Sequence, residues 1–472
     1  MKLLFVNPYF KNKVYAPTLG LGFLATYIKN HVDCEVEIIE PVKKRLNKHC
    51  LLAKIKNIDY LCLTCYTESR FQCFDFAEQA KKINPNCKII VGGPHATALD
   101  VEILKRYSFI DIVARREGEE ALLKILKNYP LSQINGITWR KDSEVVQNHD
   151  QVLEKNLDLF YLDYSFIYPE IYKWKDNEIP YKFQRLKNLP IIASRGCPFR
   201  CAFCAASQQW SGIWRGMSPD KLLEEIKFLV NQYGIRYFRF YDALFIGDEI
   251  QIFKFCDLLE QYGLDIKFRI DIRVGTSRAV LKRLREVGCE VVGFGIESGS
   301  DKVLQIINKR ITRKQIEETI NICRSLNFWI VGFFMISLPE ETSEDFNETV
   351  ELFDSFDVFN LQFFKIHPNT AFYEELKKRG EINDEIWFDK NYEEEIYYSR
   401  ELFKSAKFSR RATEIMIKRF YIRHNLKNPT LVIKRFGLAN GLFVLIYSLI
   451  QWLLLKNKIS AEFLKLMKNY KY

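Results

Sequence analysis

The chain has 472 residues, 48% of them hydrophobic and 27% charged, a balance that excludes a disordered protein and leaves enough apolar material for two large domains and a terminal piece. Its net charge of +11 comes from 70 Lys and Arg interspersed with 59 Asp and Glu, without long basic blocks; this fits a mildly basic surface and argues against a nucleic-acid partner. Residues 1–10 carry neither an extended apolar signal region nor a cleavage site, so the expected location is the cytoplasm, and the twelve cysteines are expected as thiols rather than disulfides.

Residues 1–131 alternate short apolar runs with helical patterns, which predicts an α/β fold beginning with a Rossmann-like parallel sheet domain. Expected strands are 2–6, 35–40, 60–64, 88–91 and 110–114, with helices near 20–30, 71–83 and 119–128. Residues 132–188 are rich in Tyr, Asp, Lys and Pro and read as a linker, apart from a hairpin around 136–146. The alternation resumes over 189–372. Strands at 191–194, 237–241, 267–272, 291–296 and 330–336 interleave with helices at 219–233, 251–262, 278–287 and 313–326. This is the pattern of a full or partial β/α barrel, whose active site lies at the C-terminal ends of its strands.

Residues 373–472 read as a helical, basic C-terminal region. Within it, residues 436–455 carry no charge and are flanked by Lys434, Arg435, Lys456 and Lys458. Twenty helical residues reach about 30 Å, the hydrocarbon thickness of a bilayer. Gly437, Asn440, Gly441, Ser448 and Gln451 interrupt the run, however, so a docked core helix or an interfacial helix at a membrane surface fits better than a crossing.

Ser194-Arg195-Gly196-Cys197-Pro198-Phe199-Arg200-Cys201-Ala202-Phe203-Cys204 sets three thiols within eight residues, directly after a strand. Cysteine thiolates are the usual ligands of [4Fe-4S] clusters, whereas a structural zinc site takes four protein ligands, and no Cys or His stands close behind Cys204. A cluster on Cys197, Cys201 and Cys204 keeps one iron open, which the amine and carboxylate of S-adenosylmethionine (SAM) can chelate. The competing reading is three incidental cysteines or an incomplete zinc knuckle.

Cys197-x3-Cys201-x2-Cys204, with Phe203 before the last cysteine, resembles the radical SAM signature. The likeness extends over about residues 2–367, and weakly through Phe420-Tyr421-Ile422-Arg423, to radical SAM enzymes fused to cobalamin-binding domains. It implies that the reduced cluster splits SAM into methionine and a 5'-deoxyadenosyl radical, with Phe203 near the adenine. It also implies a reducing protein such as a flavodoxin or ferredoxin. The glycine-rich turn Gly293-Phe294-Gly295-Ile296-Glu297-Ser298-Gly299-Ser300 resembles the family's fourth-strand region, which would set Glu297 and Ser298 against the SAM ribose and methionine moiety. Arg273 matches the family's carboxylate-binding arginine, an apt choice because a guanidinium pairs bidentately with a carboxylate. Tyr241-Asp242-Ala243-Leu244-Phe245 stands where relatives carry Asp-Asp-x-Phe, leaving Asp242 as the SAM-amine contact without a second acid. Ser337-Leu338-Pro339-Glu340-Glu341-Thr342 resembles the Gly-x-Pro-Gly-Glu-Thr turn near adenine, with Leu338 and Pro339 at SAM. Ser337 and Glu340 replace both glycines, so a changed backbone is expected there.

The N-terminal strands end in loops suited to a ligand: Asn7-Pro8, Thr18-Leu19-Gly20, Thr64-Cys65-Tyr66, Gly92-Gly93-Pro94-His95 and Glu117-Gly118. No Gly-x4-Gly-Lys-[Ser/Thr] or strand-linked Gly-x-Gly-x2-Gly is present to indicate a nucleotide. The stretches around Leu19 and Gly92 resemble cobalamin-binding domains. None of the six histidines stands in Asp-x-His-x2-Gly, which implies a cobalt with no protein histidine beneath it; His95 is either a cofactor contact or a structural histidine. The expected activity is methylation of an unactivated carbon on a small-molecule or lipid-like substrate. Radical ring formation or oxidation without methylation is the alternative, and a non-catalytic iron-sulfur or zinc scaffold is the alternative of another class.

Overall fold

The computed structural model describes residues 1–8, 17–40, 48–167, 176–392 and 410–457. Its first sheet contains β1 (Lys2–Val6), β2 (Glu35–Ile39), β3 (Tyr60–Thr64), β4 (Lys88–Gly92), β5 (Ile112–Ala114), β6 (Ile137–Lys141) and β7 (Glu144–Gln147), in the order β2-β1-β3-β4-β5-β6-β7. The first five strands pair in parallel and are covered by α1 (Leu19–His31), α2 (Arg70–Ile83), α3 (Asp100–Arg106) and α4 (Glu119–Leu126). Alternate residues go to two separate cores. Leu4, Val6, Leu61 and Leu63 pack on one face, while Leu3, Phe5, Cys62 and Ile90 pack on the other, as a doubly covered parallel sheet requires. The hairpin expected inside the linker forms and joins this sheet through antiparallel pairing of β6 with β5.

The second sheet begins at β8 (Asn188–Ile191). The chain then leaves it for a two-residue ribbon, β9 (Ser194–Arg195) paired antiparallel with β10 (Arg215–Gly216). For this reason the first barrel strand lies earlier than the expected 191–194. After α5 (Pro219–Tyr233) come β11 (Tyr237–Phe240), α6 (Glu249–Tyr262), β12 (Lys267–Ile272), α7 (Arg278–Glu286) and β13 (Cys289–Glu297). The series ends with α8 (Arg313–Ser325), β14 (Trp329–Ile336), α9 (Ser343–Glu351) and β15 (Val358–Phe363), a strand absent from the sequence reading. Local chemistry sets these boundaries. The Ser218 hydroxyl accepts from the Lys221 amide and Gly234 ends α5 in the left-handed conformation, while Thr312 and Thr342 each make a capping box.

The parallel order β15-β14-β13-β12-β11-β8 is a half-barrel, the partial form of the expected architecture. Ile179, Phe183, Tyr237, Val291, Trp329 and Val358 fill its floor, and Leu431 of the C-terminal region packs beneath them. Within the barrel the wholly buried Arg269 reaches Glu178 at 2.6 Å, Asp176 at 3.2 Å and Asp271 at 3.3 Å.

The C-terminal region forms α10 (Arg410–Lys427), α11 (Pro429–Phe436) and α12 (Leu438–Asn457). Tyr421 of α10 stacks on Phe359 with ring centroids 4.6 Å apart, and its phenol oxygen accepts from the Leu361 amide at 3.0 Å, covering the edge strand β15. One face of α12 is docked: Gly441 packs on Ile433 and the buried Ser448 hydroxyl accepts from Asn425. The remaining faces expose Leu442, Phe443, Ile446, Tyr447, Ile450 and Leu453. Among the described residues no helix is long and apolar enough to cross a membrane.

Candidate active site

The three cysteines lie on the loop that β9 and β10 close at its neck. Gly196 has φ +94°, and a Cβ there would stand 1.8 Å from the Ile213 carbonyl oxygen, so this turn admits only glycine. The loop is tied to the segment after β13: the Ala202 amide donates to the Ile307 carbonyl at 2.9 Å and Asn308 Nδ2 donates to the Arg200 carbonyl at 2.7 Å. Cys197, Cys201 and Cys204 are partly buried and none is in a disulfide. Burial pushes the Cys197 and Cys204 thiols up, and Lys309 opposes this at both, with Arg273 adding to it at Cys197. A cation beside a thiol partly offsets the cost that burial sets on the thiolate an iron-sulfur site needs. Among the described residues no three His, Cys, Asp or Glu side chains converge as they would on a single ion.

Around this loop, non-glycine residues hold positive φ: Glu297 (69°) at the end of β13, Asn308 (52°) after the short helix Asp301–Ile306, and Ser337 (66°) and Glu340 (57°) after β14. Such strain gathers at ligand sites. The Glu297 carboxylate accepts from Lys309 at 2.8 Å, and Lys309 Nζ lies 5.8 Å from the Phe203 ring centroid. Arg273 covers the Phe199 ring at 3.6 Å and donates to the Lys309 carbonyl. Ser298 is fully buried; its hydroxyl meets Thr349 at 3.2 Å and accepts from the Ser300 amide.

Leu338 and Pro339 are buried in the turn after β14. A changed backbone is expected there; Ser337 and Glu340 both hold positive φ, the region that suits glycine. Glu341 restrains the turn by accepting from the Ser337 and Leu338 amides at 2.7 and 3.3 Å. Burial pushes its carboxyl up to about 8 against those same amides, and Oε1 has no partner. Asp242 is buried as well, accepting from the Ala193 amide at 3.0 Å and the Ser194 hydroxyl at 2.5 Å. Burial pushes it up to about 7, the Ser194 hydrogen bonds oppose this, and Oδ2 is left without a partner.

A cavity of about 480 Å³ lies between the N-terminal sheet and the barrel. Thr18, Gly20, Thr64, Tyr66, Gly92, Gly93 and Pro94 line it from the sheet, Glu117 and Gly118 from the loop before α4, and Ser194, Arg195, Gly196, Ala205 and Tyr241 from the barrel. Phe5, Leu21, Cys62 and Ile90 make its inner end apolar. A second, polar chamber of about 420 Å³ adjoins it and shares Tyr66, Pro94, Arg116, Ala205 and Gln209.

The remaining candidates stand behind the wall. Asn7 donates to the Thr18 hydroxyl at 3.0 Å, and Pro8, Leu19 and Cys65 are buried. His95 packs edge-on to Trp387, with Nδ1 3.2 Å from the Thr67 hydroxyl. Burial, then the charge of Arg70, hold its imidazole well below the ordinary range. Gly93 has φ +95°, and a Cβ there would stand 2.9 Å from both the Cys65 carbonyl oxygen and the Thr64 hydroxyl.

Lys309, Gln209 and Arg215 carry no local sequence signal; Glu341 stands at the glutamate of the Gly-x-Pro-Gly-Glu-Thr-like turn, and Arg195 is marked only by its place two residues before Cys197.

A Rossmann-like sheet facing a half-barrel across a shared cavity, with a three-thiol loop at the barrel mouth, defines a radical SAM enzyme with a corrinoid domain. Residues 191–353 match the Radical SAM superfamily and residues 11–126 match the B12 binding domain. The chain belongs to the cobalamin-dependent radical SAM family, and its cofactors are a [4Fe-4S] cluster, SAM and cobalamin. It is 30% identical over 384 residues to an uncharacterized methyltransferase of Pyrococcus horikoshii, covering 77% of this chain and 80% of that one. It is 25% identical over 408 residues to an anaerobic magnesium-protoporphyrin IX monomethyl ester cyclase of Cereibacter sphaeroides, covering 81% of this chain and 65% of the cyclase. Its fold is similar to the radical SAM methyltransferase TsrM of Kitasatospora setae, solved with tryptophan and a SAM analogue, with TM-score 0.67, 15% identity, and coverage of 80% and 76%.

Proposed function

We propose that this enzyme methylates an unactivated carbon of a small, hydrophobic or lipid-like molecule. The observation that carries the reading is the shared cavity, whose walls come from the corrinoid loops on one side and from the neck of the cysteine loop on the other. A substrate carbon held there meets both centres in one enclosed space. When bound, the cluster and SAM supply a hydrogen-abstracting radical and cobalamin supplies a methyl group, the electron coming from a reducing protein such as a flavodoxin or ferredoxin.

In this reading residues 1–131 hold cobalamin, 132–188 connect, 189–372 form the radical SAM barrel and 373–472 the helical tail. Cys197, Cys201 and Cys204 hold the cluster, with Lys309 opposing the effect of burial at Cys197 and Cys204 and Arg273 opposing it at Cys197. Phe203 packs near adenine, Leu338 and Pro339 shape the adenine turn, and Ser298 orients the turn that presents Glu297. Asp242 uses its free Oδ2 for the SAM amine. Thr18, Gly20, Thr64, Tyr66, Gly92, Gly93, Pro94 and Gly118 face cobalamin, backed by Asn7, Pro8, Leu19, Cys65 and His95, while Glu117 of the same loop turns its carboxylate to Arg215.

Labelled SAM tests the reaction class: methylation yields both S-adenosylhomocysteine and 5'-deoxyadenosine, whereas ring formation or oxidation yields only 5'-deoxyadenosine. The cyclase relative motivates that second reading, and a product mixture without S-adenosylhomocysteine would select it.

SAM affinity is expected to rise between about pH 6 and pH 8. Burial favours the neutral Asp242 carboxyl, so below about 7 the group is protonated and lost as an acceptor for a cationic amine. The rise should be absent in Asp242→Asn; an identical profile in that variant would remove Asp242 from the SAM site.

The exposed apolar faces of α12, next to the exposed Lys434, support contact with a membrane surface. Full-length protein is expected to co-sediment with phosphatidylglycerol vesicles, and a chain ending at residue 437 is expected to stay in the supernatant. Equal partitioning of the two would refute the contact.

A further inference from the structure

Arg195 and Arg215 stand directly opposite each other in the β9–β10 ribbon. Like charges directly opposite in a ribbon repel, and here the repulsion falls on the neck of the loop that carries Cys197, Cys201 and Cys204. Both side chains are largely buried, at 14% and 5% exposure, so solvent screens the repulsion little. The counter-charges come from the other half of the molecule. Glu117 receives Arg215 on both oxygens, at 2.5 and 3.1 Å, and approaches Arg195 at 3.5 Å; Glu119 accepts from Arg195 at 2.8 Å.

These acids sit on a stiff stretch of backbone. Arg116 holds φ +63°, its amide donates to the Thr97 hydroxyl at 2.8 Å, and its side chain pairs with Asp150 at 2.7 Å. A third grip falls beyond the last cysteine, where Gln209 Nε2 donates to the Arg116 carbonyl at 2.7 Å. The loop between β5 and α4 therefore holds the cysteine loop on both sides of its thiols, and the same residues line the cavity between the two halves.

We propose that Glu117 and Glu119 are positioning residues that fix the separation of the iron-sulfur cluster from cobalamin by gripping Arg195 and Arg215. The proposal rests on the reading that Cys197, Cys201 and Cys204 hold the cluster and the shared cavity holds cobalamin. Glu117 is thereby a brace, not a cobalamin contact. Removing its charge leaves two buried guanidiniums facing each other, and the neck is expected to open.

The test is pulsed electron paramagnetic resonance on anaerobically reconstituted, full-length protein, reading the dipolar coupling between the reduced cluster and cob(II)alamin. Wild type is expected to give one narrow distance distribution. Glu117→Gln is expected to keep its iron and cobalt but to give a shifted or broadened distribution. Arg215→Lys, which retains charge while losing the bidentate grip, is expected to fall between them and serves if Glu117→Gln does not fold. An unchanged distribution in variants retaining both cofactors would overturn the proposal. So would loss of cobalamin from Glu117→Gln with the cluster kept, because that would make Glu117 a ligand contact. If wild type itself bound no cluster or no cobalamin, the functional reading would fail instead, a result distinct from either.

Discussion

Cys201→Ala is expected to abolish SAM cleavage and to empty the protein of its cluster while cobalamin binding persists. Two remaining thiolates do not hold a cluster that three held, and no other cysteine lies on the loop between β9 and β10. Cys62, Cys87, Cys256, Cys289 and Cys323 are buried in apolar packing that pushes their thiols up, to about 11 for Cys87 and about 12 for Cys256 and Cys323. The thiolate needed for ligation is thus disfavoured at each of them. Iron and acid-labile sulfide analysis, with 5'-deoxyadenosine measured under dithionite, reads the outcome. A variant that kept its cluster and still split SAM would remove the cysteine loop from the chemistry.

Arg269→Met is expected to destabilise the half-barrel by about 3–5 kcal/mol. Arg269 is fully buried and reaches Asp176, Glu178 and Asp271, so its removal leaves carboxylates without their main counter-charge in a low-dielectric interior. Arg269, then Arg239, hold the Glu178 carboxyl below its ordinary range despite burial. With Arg269 gone, burial dominates and pushes that carboxyl up, so the folded barrel binds protons that the unfolded chain releases. Stability of the variant is therefore expected to recover as pH falls toward the carboxylate range, and the deficit to be largest at neutral pH. Urea unfolding followed by tryptophan fluorescence reads this directly, because Trp329 donates to the Glu178 carbonyl at 2.9 Å. A midpoint matching wild type at neutral pH would refute it.

These two predictions divide what was legible in the sequence from what was not. The cysteine spacing and the apolar periodicity of the strands are local signals, and 2–6, 60–64 and 267–272 fall where their periodicity put them. β8 slips earlier because Ser194 and Arg195 find partners in Arg215 and Gly216, a pairing invisible to local pattern. Glu117 reads as a ligand-facing loop residue because its loop ends a Rossmann-type strand; its pairing with Arg195 and Arg215 is invisible there, because those partners lie far along the chain. The turn after β14 kept glycine-like angles without its glycines because Glu341 binds two of its amides, a compensation that only the folded geometry reveals. Arg269 reads from sequence as an ordinary charged residue on a strand, yet the barrel encloses it among acids from a preceding segment.

The docking of Tyr421 on β15 bears on how the tail can be cut. That phenol occupies an amide that would otherwise be free to recruit a foreign extended chain, so a deletion reaching into α10 would turn a sealed border into a sticky one. Truncations meant to dissect α12 should stop after Lys427, where the guard is still in position.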